Sequence, residues 1–299
     1  MGDLSSGPGG SALSGIFSGN PATAVVRRGP PTVAITSGKG GVGKTNIVAN
    51  LAATLVSSGR RVLVIDGNLG LANLDVLLDV KPRYTFADFF YGTASLAQIV
   101  TTTSHGILLL PAASGVQALT MLRNEQKIAL IAELERLADR VDIVLIDTAS
   151  GISDAVTYFA TAAQHIVVVV TPEPLAMTDG YALIKVLASV YCEKHFRILV
   201  NNASCEEQAW RIFDVLSRTA VRYLNVSLDL LGWIPGDGRI TQSMARARIV
   251  VAETPGAPSA RALVRIGERL AASLETENRV KGNLQFFFQR NLEAARGNT

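Results

Sequence analysis

Seven short apolar runs punctuate this chain, at residues 33–35, 62–65, 107–110, 143–146, 166–170, 198–200 and 230–234. They are built from Val, Ile and Leu with few polar interruptions. That is the pattern of strands buried on both faces of a parallel sheet, not the alternation of a half-wet strand. Between the runs the period becomes helical. After the first run, Ile47, Val48, Leu51, Ala52 and Leu55 fall on one side of a helix, and residues 128–138, 177–190 and 260–274 read the same way. Strand and helix alternating over residues 31–274 predict an α/β fold: a doubly wound, mostly parallel sheet flanked by helices. Functional residues are then expected at the carboxyl ends of the strands.

The two ends of the chain break this rhythm. Residues 1–30 are rich in small and turn-forming residues, among them Gly2, Ser5, Ser6, Gly7, Pro8, Gly9, Gly10 and Ser11. Such a segment buries too little apolar surface to order itself, so a flexible tail is expected, with Ile16 and Phe17 as a candidate partner anchor. Residues 275–299 begin polar and then place Leu284, Phe287, Phe288, Leu292 and Ala295 on one helical face. Asn283 is a candidate cap, and Lys281, Arg290 and Arg296 flank the stripe. A short basic amphipathic helix of this kind either lies on a membrane surface or docks on its own domain, and both readings stand.

Composition narrows the function classes. The 299 residues are 48% apolar and 18% charged, enough for a substantial core, and the net charge is +3. The basic residues form only short clusters, such as Arg239, Arg246 and Arg248, without the dense stripe of a nucleic-acid binder, so direct DNA binding is not expected. Cys192 and Cys205 form no close pair, and His105, His165 and His195 are scattered. A disulfide framework or a structural metal is therefore unsupported, and a reducing cytoplasm fits. No apolar stretch approaches the roughly 20 residues of a membrane span, and no secretory signal opens the chain.

The chemistry concentrates directly after the first run. Gly38, Lys39, Gly40, Gly41, Val42, Gly43, Lys44 and Thr45 fit the phosphate-binding pattern G-x-x-x-x-G-K-[ST], placed between a strand and a helix as that pattern requires. The glycines allow backbone N–H groups to converge on phosphates, and the helix N-terminus adds its positive end. Lys44 is expected on the outer phosphates, Thr45 on Mg²⁺, and Asn46 completes the loop as a candidate contact. Lys39 is a second cation that the nucleotide of its own subunit does not need. It makes sense as a group reaching a partner's phosphate across a dimer interface, as an arginine finger does in trans.

Two carboxylates end apolar runs: Asp66 after 62–65 and Asp147 after 143–146. Both are candidates for the Mg²⁺ shell. Gly151 follows closely and is a candidate sensor whose N–H meets the γ-phosphate. Asn201, Pro235 and Asp237, at the ends of later runs, are candidates for recognising the adenine base.

Together these residues resemble the MinD/ParA family of ATPases, whose deviant phosphate loop reads K-G-G-x-G-K-[ST]. The stretches TSGKGGVGKTN (36–46), LGLANLDVLL (69–78), PAASG (111–115), IDTASGISD (146–154), PEPLAMTDGYALIKVL (172–187) and GNLQFFFQR (282–290) resemble the flagellar-number regulators of the FlhG/FleN type. The resemblance runs from about Val33 to about Arg290. It implies a homodimer that forms around ATP and Mg²⁺, with Lys39 of each subunit on the other's nucleotide, and that hydrolysis returns to monomers. It also implies a cytoplasmic protein that lies on the inner face of the cell membrane when ATP-bound, through Leu284, Phe287, Phe288 and Leu292. The partners it implies are an FlhF-type GTPase and a flagellar master transcription activator, and the output is flagellar number and placement.

Two features depart from the family. Asp66-Gly67-Asn68 stands where the family reads Asp-x-Asp, and the second aspartate normally positions the attacking water. Asn68 donates and accepts hydrogen bonds but carries no charge and takes no proton, so slow hydrolysis is expected. The Gly/Ser-rich start also lacks a match to the family's GTPase-activating segment. MinD-like septum positioning, ParA-like DNA partitioning and a non-hydrolysing ATP-dependent adaptor remain the alternative readings.

Overall fold

The structure, a computed structural model, describes residues 29–68, 74–85, 88–89, 91–111, 132–133 and 136–276. The expected N-terminal tail through residue 28, much of the helix expected at 128–138 and the C-terminal amphipathic helix lie outside these residues. So do residues 69–73 and 112–115 of the family-like stretches.

Eight strands form one sheet: β1 (Thr32–Ser37), β2 (Val62–Gly67), β3 (Thr101–Thr102), β4 (Leu108–Leu110), β5 (Ile143–Ser150), β6 (His165–Val170), β7 (His195–Ala203) and β8 (Ser227–Pro235). Their order is β3-β4-β2-β5-β1-β6-β7-β8. Every neighbouring pair is parallel except β3 with β4. All seven apolar runs became strands. The two-residue edge strand β3 carries only threonines and has no apolar run to announce it.

The helices are α1 (Lys44–Ser57), α2 (Leu74–Leu77), α3 (Leu96–Ile99), α4 (Asp154–Ala162), α5 (Pro174–Tyr191), α6 (Glu206–Leu224), α7 (Gly238–Ala245), α8 (Val250–Glu253) and α9 (Pro258–Thr276). Alternate residues of each central strand feed opposite layers. Val33 and Ile35 pack with α1 and α9 through Leu51, Leu55, Leu263 and Ile266. Ala34 and Ile146 face the other way, towards Phe159 of α4. Further along the sheet, Ile166 and Val168 meet Leu183 and Leu187 of α5 and Leu216 of α6. The result is a sheet sandwiched between two helical layers, whose six-residue strands β1, β2 and β6 are buried end to end. Truncating one of these side chains, Leu51→Ala for example, costs about 2–5 kcal/mol through lost transfer energy and the cavity left behind.

Because β1 and β5 are adjacent central strands with β2 beside β5, their carboxyl ends bring Ser37, Asp66 and Asp147 together. Asp66 and Asp147 are register partners across β2 and β5, and Asp147 is also paired with Ile35 of β1.

Candidate nucleotide site

The loop from Gly38 to Gly43 joins β1 to α1, and Gly38, Gly41 and Gly43 are each required by its geometry. Gly43 occupies the left-handed region at φ 91°, which lets the chain turn sharply into α1. A Cβ on Gly38 would lie 1.9 Å from the backbone oxygen of Asp179, so the loop rests directly on the first turns of α5. The family-like stretch at 172–187 thus has a physical role as the surface against which the phosphate loop is packed.

A cavity of about 410 Å³ opens at the carboxyl edge of the sheet. Gly41, Gly43, Lys44, Thr45 and Asn46 line it from the loop, with Asn68 after β2 and Thr148, Ala149 and Ser150 from β5. Val76, Leu77, Met244 and Ala247 close it from α2 and from the α7 region. Met244 and Ala247 were not legible in the sequence, because they lie far along the chain and carry no chemical signature, and Val76 and Leu77 fall in the family-like stretch 69–78 without a chemical signature of their own.

Lys44 is 8% exposed, and its Nζ donates to Ser37 Oγ at 2.7 Å. Burial lowers its pKa, and the negative charge of Asp147 partly restores it. Ser37 Oγ donates in turn to the carbonyl of Lys39 at 2.7 Å. Ser37, which the sequence analysis quoted within the stretch 36–46 without giving it a role of its own, is therefore the residue that holds Lys44.

Burial pushes Asp147 up to about 6, while the Thr45 hydroxyl and the Lys44 ammonium pull it down. Burial likewise pushes Asp66 up to about 7. The Asn68 N–H, which donates to Asp66 Oδ1 at 3.0 Å, opposes that shift, and repulsion from Asp147 and Asp75 adds to it. Two adjacent buried carboxylates are costly in the absence of a cation. Asp147 Oδ1, moreover, is buried without a hydrogen-bond partner among the described residues. An oxygen-preferring divalent cation and its waters would satisfy that atom, so Thr45, Asp66 and Asp147 fit Mg²⁺. Bound there, it would neutralise charge on the phosphate oxygens.

Lys39 points elsewhere. Its side chain is 32% exposed, and its Nζ pairs with the Glu173 carboxylate, itself 58% exposed, at the N-cap of α5. It does not line the cavity. Gly38, Gly40 and Val42 belong to the loop without lining the cavity, and Gly40 approaches the Ser150 hydroxyl. Gly151 takes the left-handed conformation at φ 97°, and its N–H donates to the Ser37 carbonyl at 2.9 Å. A phosphate contact by that N–H would require it to exchange this partner.

The three adenine candidates stand outside the cavity lining. Asn201 Nδ2 donates to the Val42 carbonyl at 2.8 Å. Pro235 ends β8. Asp237 caps two helices, accepting from Arg239 N at 3.0 Å in α7 and from Ser259 Oγ at 2.8 Å in α9.

A glycine-rich turn from a parallel strand into a helix, an inward lysine and two register-paired carboxylates on β2 and β5 define a P-loop nucleotide-binding protein. Residues 31–199 match the AAA domain family. The chain is 37% identical to the antiactivator FleN of Pseudomonas aeruginosa, over 86% of this chain and 92% of that protein. It is 32% identical to the flagellum site-determining protein YlxH of Helicobacter pylori, over 87% and 89% of the two. Among solved structures, the septum site-determining protein MinD of Pyrococcus horikoshii, complexed with Mg-ADP, superposes with a TM-score of 0.64 at 26% identity, over 83% of this chain and 100% of that one. The chain belongs to the MinD/ParA-type P-loop ATPases, in the FlhG/FleN branch of flagellar-number regulators.

Proposed function

We propose that this chain is an ATP-driven dimerising switch that limits how many flagella are built and where. ATP occupies the cavity with Mg²⁺, its outer phosphates against Lys44 and the backbone N–H groups of the loop. The site residues divide by reach. Lys44, Thr45, Asp66 and Asp147 act on the nucleotide of their own subunit, whereas Lys39 of each subunit contacts the nucleotide of the other.

The observation that carries this reading is the position of Lys39. It sits on the phosphate loop yet outside the cavity, at the rim, and among the described residues it pairs with the more accessible Glu173. An exposed pair of this kind contributes little stability, so exchanging Glu173 for a partner's phosphate is inexpensive. Phosphoryl transfer then rests mostly on positioning and electrostatics. Asn68 holds the attacking water by hydrogen bonds without taking its proton, which makes hydrolysis slow and the ATP dimer long-lived.

The reading extends to the remaining elements by likeness to the family. Residues 275–299 form an amphipathic helix that places the ATP dimer on the inner membrane face through Leu284, Phe287, Phe288 and Leu292. Residues 1–30 form the tail, and residues 31–274 the ATPase domain. An FlhF-type GTPase and a flagellar master transcription activator are the partners. Among the described residues no helix is long and apolar enough to cross a membrane.

Mass by light scattering, with and without ATP and Mg²⁺, tests the switch. The native chain should double its mass with ATP. Lys39→Ala should bind ATP within about twofold of the native affinity and stay monomeric. A dimer that forms equally well without Lys39 would remove the basis of the proposal.

A further inference from the structure

We infer that Asn201 is a positioning residue for the phosphate loop, acting before any base is bound. The inference rests on the nucleotide-binding reading above and deepens it. Asn201 lies at the carboxyl end of β7, 159 residues from the loop in sequence, and its Nδ2 donates to the Val42 carbonyl at 2.8 Å. Only the nitrogen of the amide can face that oxygen, because a carbonyl accepts and does not donate. The contact also has no slack: a Cβ on Gly43 would lie 2.7 Å from the same Nδ2. Asn201 therefore packs against the Val42–Gly43 peptide as well as bonding to it.

The consequence follows from peptide geometry. The Val42–Gly43 bond is planar and trans, so its C=O and N–H point in opposite directions. Holding the Val42 carbonyl on Asn201 turns the Gly43 N–H the other way. Gly43 lines the cavity, so its N–H is set for a phosphate oxygen. The left-handed φ of Gly43 makes this peptide easy to turn over in the absence of a restraint, and Asn201 is the restraint. Its Oδ1, not engaged by Val42, remains an acceptor suited to an exocyclic amine such as that of adenine. One side chain would then tie base recognition to the shape of the phosphate loop.

Inorganic tripolyphosphate separates the two roles, since it has phosphates and no base. Binding of Mg-tripolyphosphate and of Mg-ATP is measured by calorimetry for the native chain, Asn201→Asp and Asn201→Ser. The aspartate keeps the shape but replaces the donor with a charge that repels the Val42 carbonyl. The serine is neutral and shorter, and carries the same test if the aspartate fails to fold. Both variants should weaken tripolyphosphate and ATP together, by about tenfold, with thermal unfolding of the unliganded chain little changed. If only ATP weakens, Asn201 reads the base alone and the inference is overturned. It is also overturned if neither ligand weakens, or if the native loop holds ATP but not tripolyphosphate, because the loop would then not be set in advance. Failure of the native chain to bind Mg-ATP at all would instead overturn the nucleotide-binding reading.

Discussion

The inner wall and the outer rim of the phosphate loop are five residues apart in sequence and obey different physics. On the inner wall, Lys44 is buried, pinned to Ser37 and set against Asp147. On the rim, Lys39 is half-exposed and pairs with an accessible Glu173. In a low-dielectric wall every charge must be answered, so each group there is fixed by its neighbours. At a wet rim the same ion pair is nearly neutral in free energy and free to change partner. The proposed switch would use both: a rigid site for its own nucleotide and a loosely held cation for exchange with a second subunit.

The inner wall is most sensitive at Lys44. Lys44→Ala removes one member of a buried, hydrogen-bonded charge set, which costs about 2–5 kcal/mol where such a group contacts a ligand. Affinity for Mg-ATP, measured by calorimetry, should fall by about two orders of magnitude, against the near-unchanged affinity expected for Lys39→Ala. Equal losses in the two variants would mean that wall and rim do not differ as described.

Gly38→Ala should come next. The new methyl meets the Asp179 carbonyl, a backbone atom that cannot swing away. Overpacking of this kind costs about 1–3 kcal/mol. Thermal unfolding should reveal the loss, together with weakened ATP binding as the loop is lifted off α5.

Asn68→Asp adds a charge to the wall of the cavity. Single-turnover hydrolysis of preloaded ATP should accelerate severalfold. Equal rates would mean that other groups position the water.

The pH response is the smallest effect and separates folding from binding. Asp66 and Asp147 have folded-state pKa values of about 7 and about 6, above the ordinary carboxylate value of 3.8. A raised pKa means that the folded chain holds protons the unfolded chain has released. The stability these groups contribute is therefore fully present below about pH 4 and is lost as pH rises through 6 and 7. Without ligand, this contribution should make unfolding midpoints higher at pH 5.5 than at pH 8. Mg-ATP affinity should run the opposite way, since the cation requires both carboxylates ionised.

The seven core strands were legible because a strand buried on both faces must be apolar along its length, whatever packs on it. The loop from Gly38 to Thr45 was legible because phosphate binding restricts residue type at fixed spacing, and the carboxylates at Asp66 and Asp147 because each directly follows an apolar run. The two threonines of β3 were not, since an edge pairing needs only backbone groups. Val76, Met244 and Ala247 were equally silent, being ordinary side chains that line the cavity only after the chain has folded back over it.

By itself, then, the sequence determined the seven apolar strands, the chemistry of the phosphate loop and the family. These are local properties, written in periodicity and spacing. The tertiary structure alone decided that Lys44 turns inward to Ser37 while Lys39 turns outward to Glu173. It also decided that the loop leans on the Asp179 carbonyl, and that Asn201 reaches the Val42 carbonyl across 159 positions of sequence. The reason is physical: the direction of a side chain and the burial of a charge depend on which distant segments close around it, and no local pattern encodes that.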